Sequence, residues 1–196
     1  MKLLTAAFVG GLLLISTHAN AQVTPGAHQV GINIGFANPL NNTNVGGDSA
    51  EFGRVGPAFG VNYFYQLQRY LSLGGDFNYK NFGSQYYGHI EVEPSAWTLL
   101  AIGRLDLLPD NNIRPYGLLG LGVGGARREL DYPTHETSGS SVGLAFALGA
   151  GVDYDINASW LVGAELRYSI IGTNNNDTGA DSVSSFDVLF KGGYKF

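Results

Sequence analysis

From Val142 to Asp155 the chain alternates without interruption. Val142, Leu144, Phe146, Leu148, Ala150, Val152 and Tyr154 fall on one parity; Gly143, Ala145, Ala147, Gly149, Gly151, Asp153 and Asp155 fall on the other. Successive side chains of a strand point to opposite faces, so this period of two predicts one long β-strand. The faces differ in bulk as well as polarity. One carries large apolar groups; the other carries nothing larger than Ala apart from two carboxylates.

The same division recurs along the chain. A strand is predicted over about Gln29–Ala37, with Val30, Ile32, Ile34 and Phe36 on one face. In Pro57–Gln66, Phe59, Val61, Tyr63 and Tyr65 oppose Gly60, Asn62 and Gln66; in Leu71–Lys80, Leu71, Leu73, Phe77 and Tyr79 oppose Ser72, Gly74, Asp76 and Asn78. In Ala96–Leu107, Trp97, Leu99, Ala101, Gly103 and Leu105 oppose Thr98, Leu100, Ile102, Arg104 and Asp106. Tyr116–Ala126 is too rich in Gly for its faces to be assigned. In Trp160–Ile170, Val162, Ala164, Leu166 and Tyr168 oppose Gly163, Glu165, Arg167 and Ser169. A final strand ends the chain, with Phe186, Val188, Phe190, Tyr194 and Phe196 opposite Asp187, Lys191 and Lys195. Connections alternate between short ones (Leu67–Tyr70, Pro109–Pro115, Ile156–Ser159) and long polar ones (about Asn38–Val55, Asn81–Ser95, Arg127–Ser141, Ile171–Ser182).

Eight strands in up-and-down order can close into a barrel, which removes the sheet edges. The interior of such a barrel is only wide enough for side chains to fill it. Rows of Phe, Tyr, Trp and Leu do not fit there, whereas Gly, Ala, Ser and Asn with paired charges do. The bulky face therefore points outward, the reverse of a soluble lipocalin-like barrel. The expected fold is all-β: an eight-stranded antiparallel up-and-down transmembrane β-barrel. Tyr63, Tyr65, Tyr79, Trp97, Trp160, Tyr168 and Tyr194 lie near strand ends, where interfacial aromatics belong. Short turns and chain ends then lie in the periplasm, and the four long loops outside.

Composition agrees. Charged residues make up 14% of the chain against a typical quarter, and the 29 Gly suit strands and turns. With no Cys, disulfides, thiolate metal sites and a Cys nucleophile are excluded. A net charge of -5 points away from a nucleic-acid partner. At the N-terminus, Lys2, an apolar run from Leu3 to Ile15, and Ala19-Asn20-Ala21 have the three-part pattern of an export signal. That run is shorter than the roughly 20 residues a spanning helix needs. The expected organisation is a cleaved signal peptide over residues 1–21 and a barrel domain over 22–196.

Three stretches, Arg114–Ala126, Ala147–Ser169 and the alternating Val188, Phe190, Tyr194 and Phe196, resemble the outer membrane protein A / outer membrane protein X type of bacterial barrel. "RPYGLLGLGVGGA" resembles that family's Pro-Tyr-Gly-rich fifth strand. "ALGAGVDYDINASWLVGAELRYS" resembles its hairpin, where Glu165, Arg167 and Tyr168 match an acidic-x-Arg-Tyr run. Val188, Phe190, Tyr194 and the terminal Phe196 resemble the signal read by the barrel-assembly machinery. The resemblance implies residence in the outer membrane, among its lipid and lipopolysaccharide. It does not imply the cell-wall tether that larger members carry in a further domain.

Motifs with chemical associations are poor fits. Gly120, Gly122 and Gly125 form G-x-G-x-x-G, but no helical pattern follows to hold a pyrophosphate. Asp177–Ala180 is a lone copy of an aspartic-protease half-site. Asp153, Asp155 and Asn157 open like a calcium loop, but Ala158 and Ala164 stand where Gly and Glu are needed. His89 with Glu91 and Glu93, and His135 with Glu136 and Ser138, supply groups a lipid-modifying enzyme would use, and His89 with Glu91 those of a weak metal site, with nothing to fix their geometry. No catalytic, cofactor or metal residue is expected.

The better-founded constellation is inward-facing. Asp76, Arg104, Asp106, Asp153, Glu165, Arg167, Asp187, Lys191 and Lys195 all fall on predicted lumen positions. Buried charges need partners, so a hydrogen-bonded plug is expected, with Glu165 and Arg167 near its middle. The expected role is non-enzymatic: membrane integrity, or adhesion and host interaction through the four loops. A narrow or gated pore for small solutes is the alternative, and a lipid A-modifying enzyme stands behind it.

Overall fold

The computed structural model describes residues 24–40, 42–45, 48–51, 54–87, 90–131, 136–173 and 182–196. Within them run β1 (His28–Pro39), β2 (Asn42–Val45), β3 (Asp48–Glu51), β4 (Gly56–Gln68), β5 (Leu71–Asn81), β6 (Gln85–Tyr87), β7 (Ile90–Asp106), β8 (Ile113–Asp131), β9 (Glu136–Asp155), β10 (Trp160–Gly172) and β11 (Ser182–Lys195). The main sheet runs β5-β4-β1-β11-β10-β9-β8-β7, and β5 pairs back with β7. Every neighbouring pair in this ring is antiparallel. Eight strands thus close on themselves, while β6 adds to β7 outside the ring and β2–β3 is a separate hairpin.

The alternation in the sequence becomes the two faces of the wall. In β4, Ala58, Gly60, Asn62, Phe64 and Gln66 are buried, while Phe59, Val61, Tyr63 and Tyr65 are exposed. The same sense holds elsewhere: Ile34, Leu99, Leu148, Leu166 and Phe190 face outward, and Asp76, Thr98, Ala147 and Arg167 face inward. The outside thus carries an apolar band, the signature of a wall that faces hydrocarbon.

Three expectations need correction. The stretches Asn81–Ser95 and Arg127–Ser141 are not long irregular loops: β7 begins at Ile90, β8 runs on to Asp131 and β9 starts at Glu136. The backbone ladder continues through these polar stretches, which the bulky apolar alternation used to place the strands did not cover. Second, the turn Pro109–Pro115 ends early. β8 starts at Ile113, because Pro is tolerated near the beginning of a strand. Third, the lumen holds bulky apolar groups as well as small ones: Phe64, Leu100, Ile102, Leu118, Leu161 and Leu189 are all buried.

Candidate functional site: the charged lumen

Each charge anticipated for the lumen is on the inner face, and the structure joins them in three groups. In the first, Arg167 spans the barrel. It donates from Nη1 to Asp76 Oδ1 at 2.7 Å and from Nη2 to Asp76 Oδ2 at 3.2 Å. Its Nε donates to Glu165 Oε1 at 2.7 Å. Glu165 Oε2 accepts from Tyr116 Oη at 2.8 Å and from Lys191 Nζ at 3.2 Å. Lys191 Nζ also donates to Tyr116 Oη at 2.9 Å. Asn33 and Asn78 donate to the two oxygens of Asp76.

The second group lies toward the end that carries the chain termini. Arg104 pairs with Asp106 and Asp153, each at 2.6 Å. Arg114 Nη2 lies 3.0 Å and Lys195 Nζ 2.9 Å from Asp155 Oδ1, and Arg114 Nη1 lies 3.6 Å from Asp106. In the third group, at the opposite end, Lys80 Nζ donates to Asp187 Oδ2 at 2.6 Å and Ser185 Oγ at 2.8 Å, and also to Ser169.

Tyr116 links the first two groups. Its ring has the Arg104 guanidinium 3.8 Å from its centroid and the Lys191 ammonium at 4.6 Å. Both cations also lie 5.8 Å from the Phe64 ring. Room for this stack comes from Gly151, the ladder partner of Tyr116: a Cβ there would lie 2.5 Å from Tyr116 Cζ.

These three groups thus join six cations (Lys80, Arg104, Arg114, Arg167, Lys191, Lys195) and six carboxylates (Asp76, Asp106, Asp153, Asp155, Glu165, Asp187). Sequence reasoning missed Lys80, Arg114 and Asp155 as network members. Lys80 and Asp155 share parity with residues already assigned inward, so the period could have found them. Arg114 was hidden by the turn signal of Pro115, and Tyr116 by glycines that blur its face.

Other candidates resolve differently. Gly120, Gly122 and Gly125 lie within β8, which runs on as strand to Asp131. Asp153 and Asp155 face arginines, and Asn157 Oδ1 instead accepts from Ser159 N at 2.9 Å and Trp160 N at 2.8 Å, closing the β9–β10 turn. His89, His135, the Asp177–Ala180 motif and the export segment 1–21 lie outside the described residues.

At the chain ends, the signal-like residues border the β1–β11 seam. Phe196 N donates to His28 O at 2.9 Å, and His28 N donates to Phe196 O at 2.9 Å. The His28 ring stacks on Phe196 at 5.4 Å and bonds Tyr63 Oη at 2.6 Å. Tyr194 lies between Phe196 and Trp160, and Val188 and Phe190 face outward further along.

A closed antiparallel ring, apolar outside and charge-filled inside, defines a bacterial outer-membrane β-barrel protein. The chain belongs to the outer membrane protein beta-barrel domain family, whose model matches residues 7–196. It is similar in fold to Ail, the attachment invasion locus protein of Yersinia pestis. The TM-score is 0.56 at 20% identity, covering 88% of this chain and 100% of that one. Neisserial surface protein A is similar at a TM-score of 0.60 and 18% identity, over 87% and 99% of the two chains. OprG of Pseudomonas aeruginosa gives 0.54 and 16%, over 90% and 98%. No curated protein matches the chain by sequence. The outer membrane is its location.

Proposed function

We propose that this protein is a sealed, non-enzymatic barrel that serves membrane integrity or surface attachment through its outer hairpins. The observation that carries this reading is the lumen: six cations and six carboxylates cross-paired through the space a solute would need. The surface part is supported by β8 and β9. At 19 and 20 residues they far exceed the roughly 9–11 that cross a bilayer. Ail, one of the proteins similar in fold, has a crystal structure in complex with the heparin analogue sucrose octasulfate.

The same reading has the chain exported by residues 1–21 and cut after Ala21. Val188, Phe190, Tyr194 and Phe196 then present the assembly signal to the barrel-assembly machinery, and lipopolysaccharide surrounds the finished wall. Reconstitution in a planar bilayer tests the seal. The expected result is no stable conductance; steady unitary currents would overturn it in favour of the gated pore. Lipid A mass spectra from wild-type and deletion strains should be identical, and a difference in acylation would revive the enzyme.

A further inference from the structure

A cavity of about 540 Å³ opens at the end of the barrel that carries the chain termini and the short turns, the periplasmic end of such barrels. Gln29, Phe64, Arg114 and Lys195 reach it from β1, β4, β8 and β11. One wall is built by the segment before β1. Thr24–Ala27 is a β-turn in which Ala27 N donates to Thr24 O at 3.1 Å, with Pro25 second and Gly26 third at φ +88°. Pro presets the first central φ of a type II turn, and Gly takes the positive second one at no steric cost. β4 holds this turn over the mouth: Gly26 N donates to Gln66 O at 2.8 Å, and Gln66 N to Ala27 O at 2.9 Å.

The second charge group is arranged unevenly about this mouth. Among the described residues, Arg114 and Lys195 line the cavity and no Asp or Glu does. Both cations share one oxygen, Asp155 Oδ1, whereas Arg104, which does not line the cavity, serves both Asp106 and Asp153. The group is neutral as a whole, with its positive pole at the opening. The terminal carboxylate of Phe196 is engaged in the seam, where one oxygen accepts from His28 N at 2.9 Å. Two N–H donors at the mouth have no partner: Arg114 Nε, on a side chain only 2% exposed, and Gln29 Nε2. A buried donor without a partner is costly, and an acceptor on a ligand removes that cost.

We propose that this cavity binds a carboxylate carrying an apolar or aromatic group, entering from the periplasmic side. Arg114 Nη2 and Lys195 Nζ lie 3.0 Å and 2.9 Å from the same oxygen, near enough for one carboxylate to bridge the two side chains. The Arg114 Nη atoms are engaged with Asp155 and Asp106, so the guanidinium offers a single N–H rather than the fork that suits a phosphate. Lys195 and the Gln29 amide supply the remaining donors, and Phe64, Ala27 and Phe196 the apolar surface. A free organic acid and the C-terminal residue of a polypeptide share this chemistry.

The test is calorimetric titration of the folded protein in nanodiscs with N-acetylphenylalanine. The expected result is saturable binding at one site, with N-acetylphenylalaninamide weaker by roughly tenfold or more, because it lacks the charge. Lys195→Met leaves Asp155 paired with Arg114 and should weaken the acid by about tenfold. Ala158→Trp, on the exposed β9–β10 turn at the mouth, should block binding while the unboiled gel mobility stays that of the wild type. Absence of saturable binding, equal affinity for acid and amide, wild-type affinity in both variants, or equal competition by inorganic phosphate would each overturn the proposal. The peptide Gly-Gly-Gly-Phe separates the two sources: binding as tight as the acid points to a polypeptide C-terminus, and binding of the small acid alone to a free organic acid. Conductance by the wild type would sink the sealed-lumen reading alone, because this mouth is open whether or not solutes pass beyond it.

Discussion

Glu165 accepts hydrogen bonds from Arg167, Tyr116 and Lys191 at once. Removing it leaves two cations in a buried space with one anion fewer. Glu165→Ala should therefore destabilise the barrel by about 3–5 kcal/mol, read as a lower urea midpoint for unfolding from vesicles. An unchanged midpoint would show that the network contributes nothing. A smaller change should also be felt at Gly151, where even a methyl group meets the Tyr116 ring. Gly151→Ala is expected to cost about 1–3 kcal/mol by overpacking, and Gly151→Ala combined with Tyr116→Phe should cost no less. Residue by residue, the inward charges were legible wherever bulky neighbours of opposite parity fixed the face, as around Asp76 and Arg167. Where the marker was ambiguous the reading failed. Phe64 is apolar at an inward position, and the glycines beside Tyr116 supplied no contrast from which its face could be assigned.

At the scale of strands, the apolar alternation reports membrane depth more than strand length. In β7 the faces over Leu99–Leu105 are fixed by Arg104 and Asp106, because Leu99–Ile102 is apolar on both parities, while Ile90–Glu93 alternates in the reversed sense, with Ile90 and Val92 on the parity of Thr98 and Arg104. Strand existence and direction were therefore readable, and the outer strand ends were not. The seam offers a sharper test of one element against another. Phe196 stacks on His28, the first residue of β1, across the ladder that closes the ring. A double-mutant cycle of His28→Ala and Phe196→Ala should give a coupling of about 0.5–1.5 kcal/mol, the range for paired rings. His28→Phe should restore the mobility of the folded band if stacking is what matters. Additive single effects would mean that the two rings do not stabilise each other.

For the molecule as a whole, the closed ring predicts that unboiled protein migrates faster than boiled protein on a detergent gel; equal migration would contradict a barrel that resists detergent. The ring also has a consequence for lifetime. Asp76 and Arg167 lie on β5 and β10, Lys80 and Asp187 on β5 and β11, and Tyr116 and Lys191 on β8 and β11. None of these partners is on adjacent strands, so they meet only when the sheet curls round to join β1 with β11. Parting that seam inside a bilayer separates them together and turns unpaired charges toward hydrocarbon, where each costs several kcal/mol. Departure from the native state is therefore set by a barrier rather than by the balance of end states. Urea curves taken up and down should fail to superimpose at hour-long equilibration, and the hysteresis should narrow in Lys80→Met/Asp187→Leu, which removes one cross-barrel pair without stranding either charge.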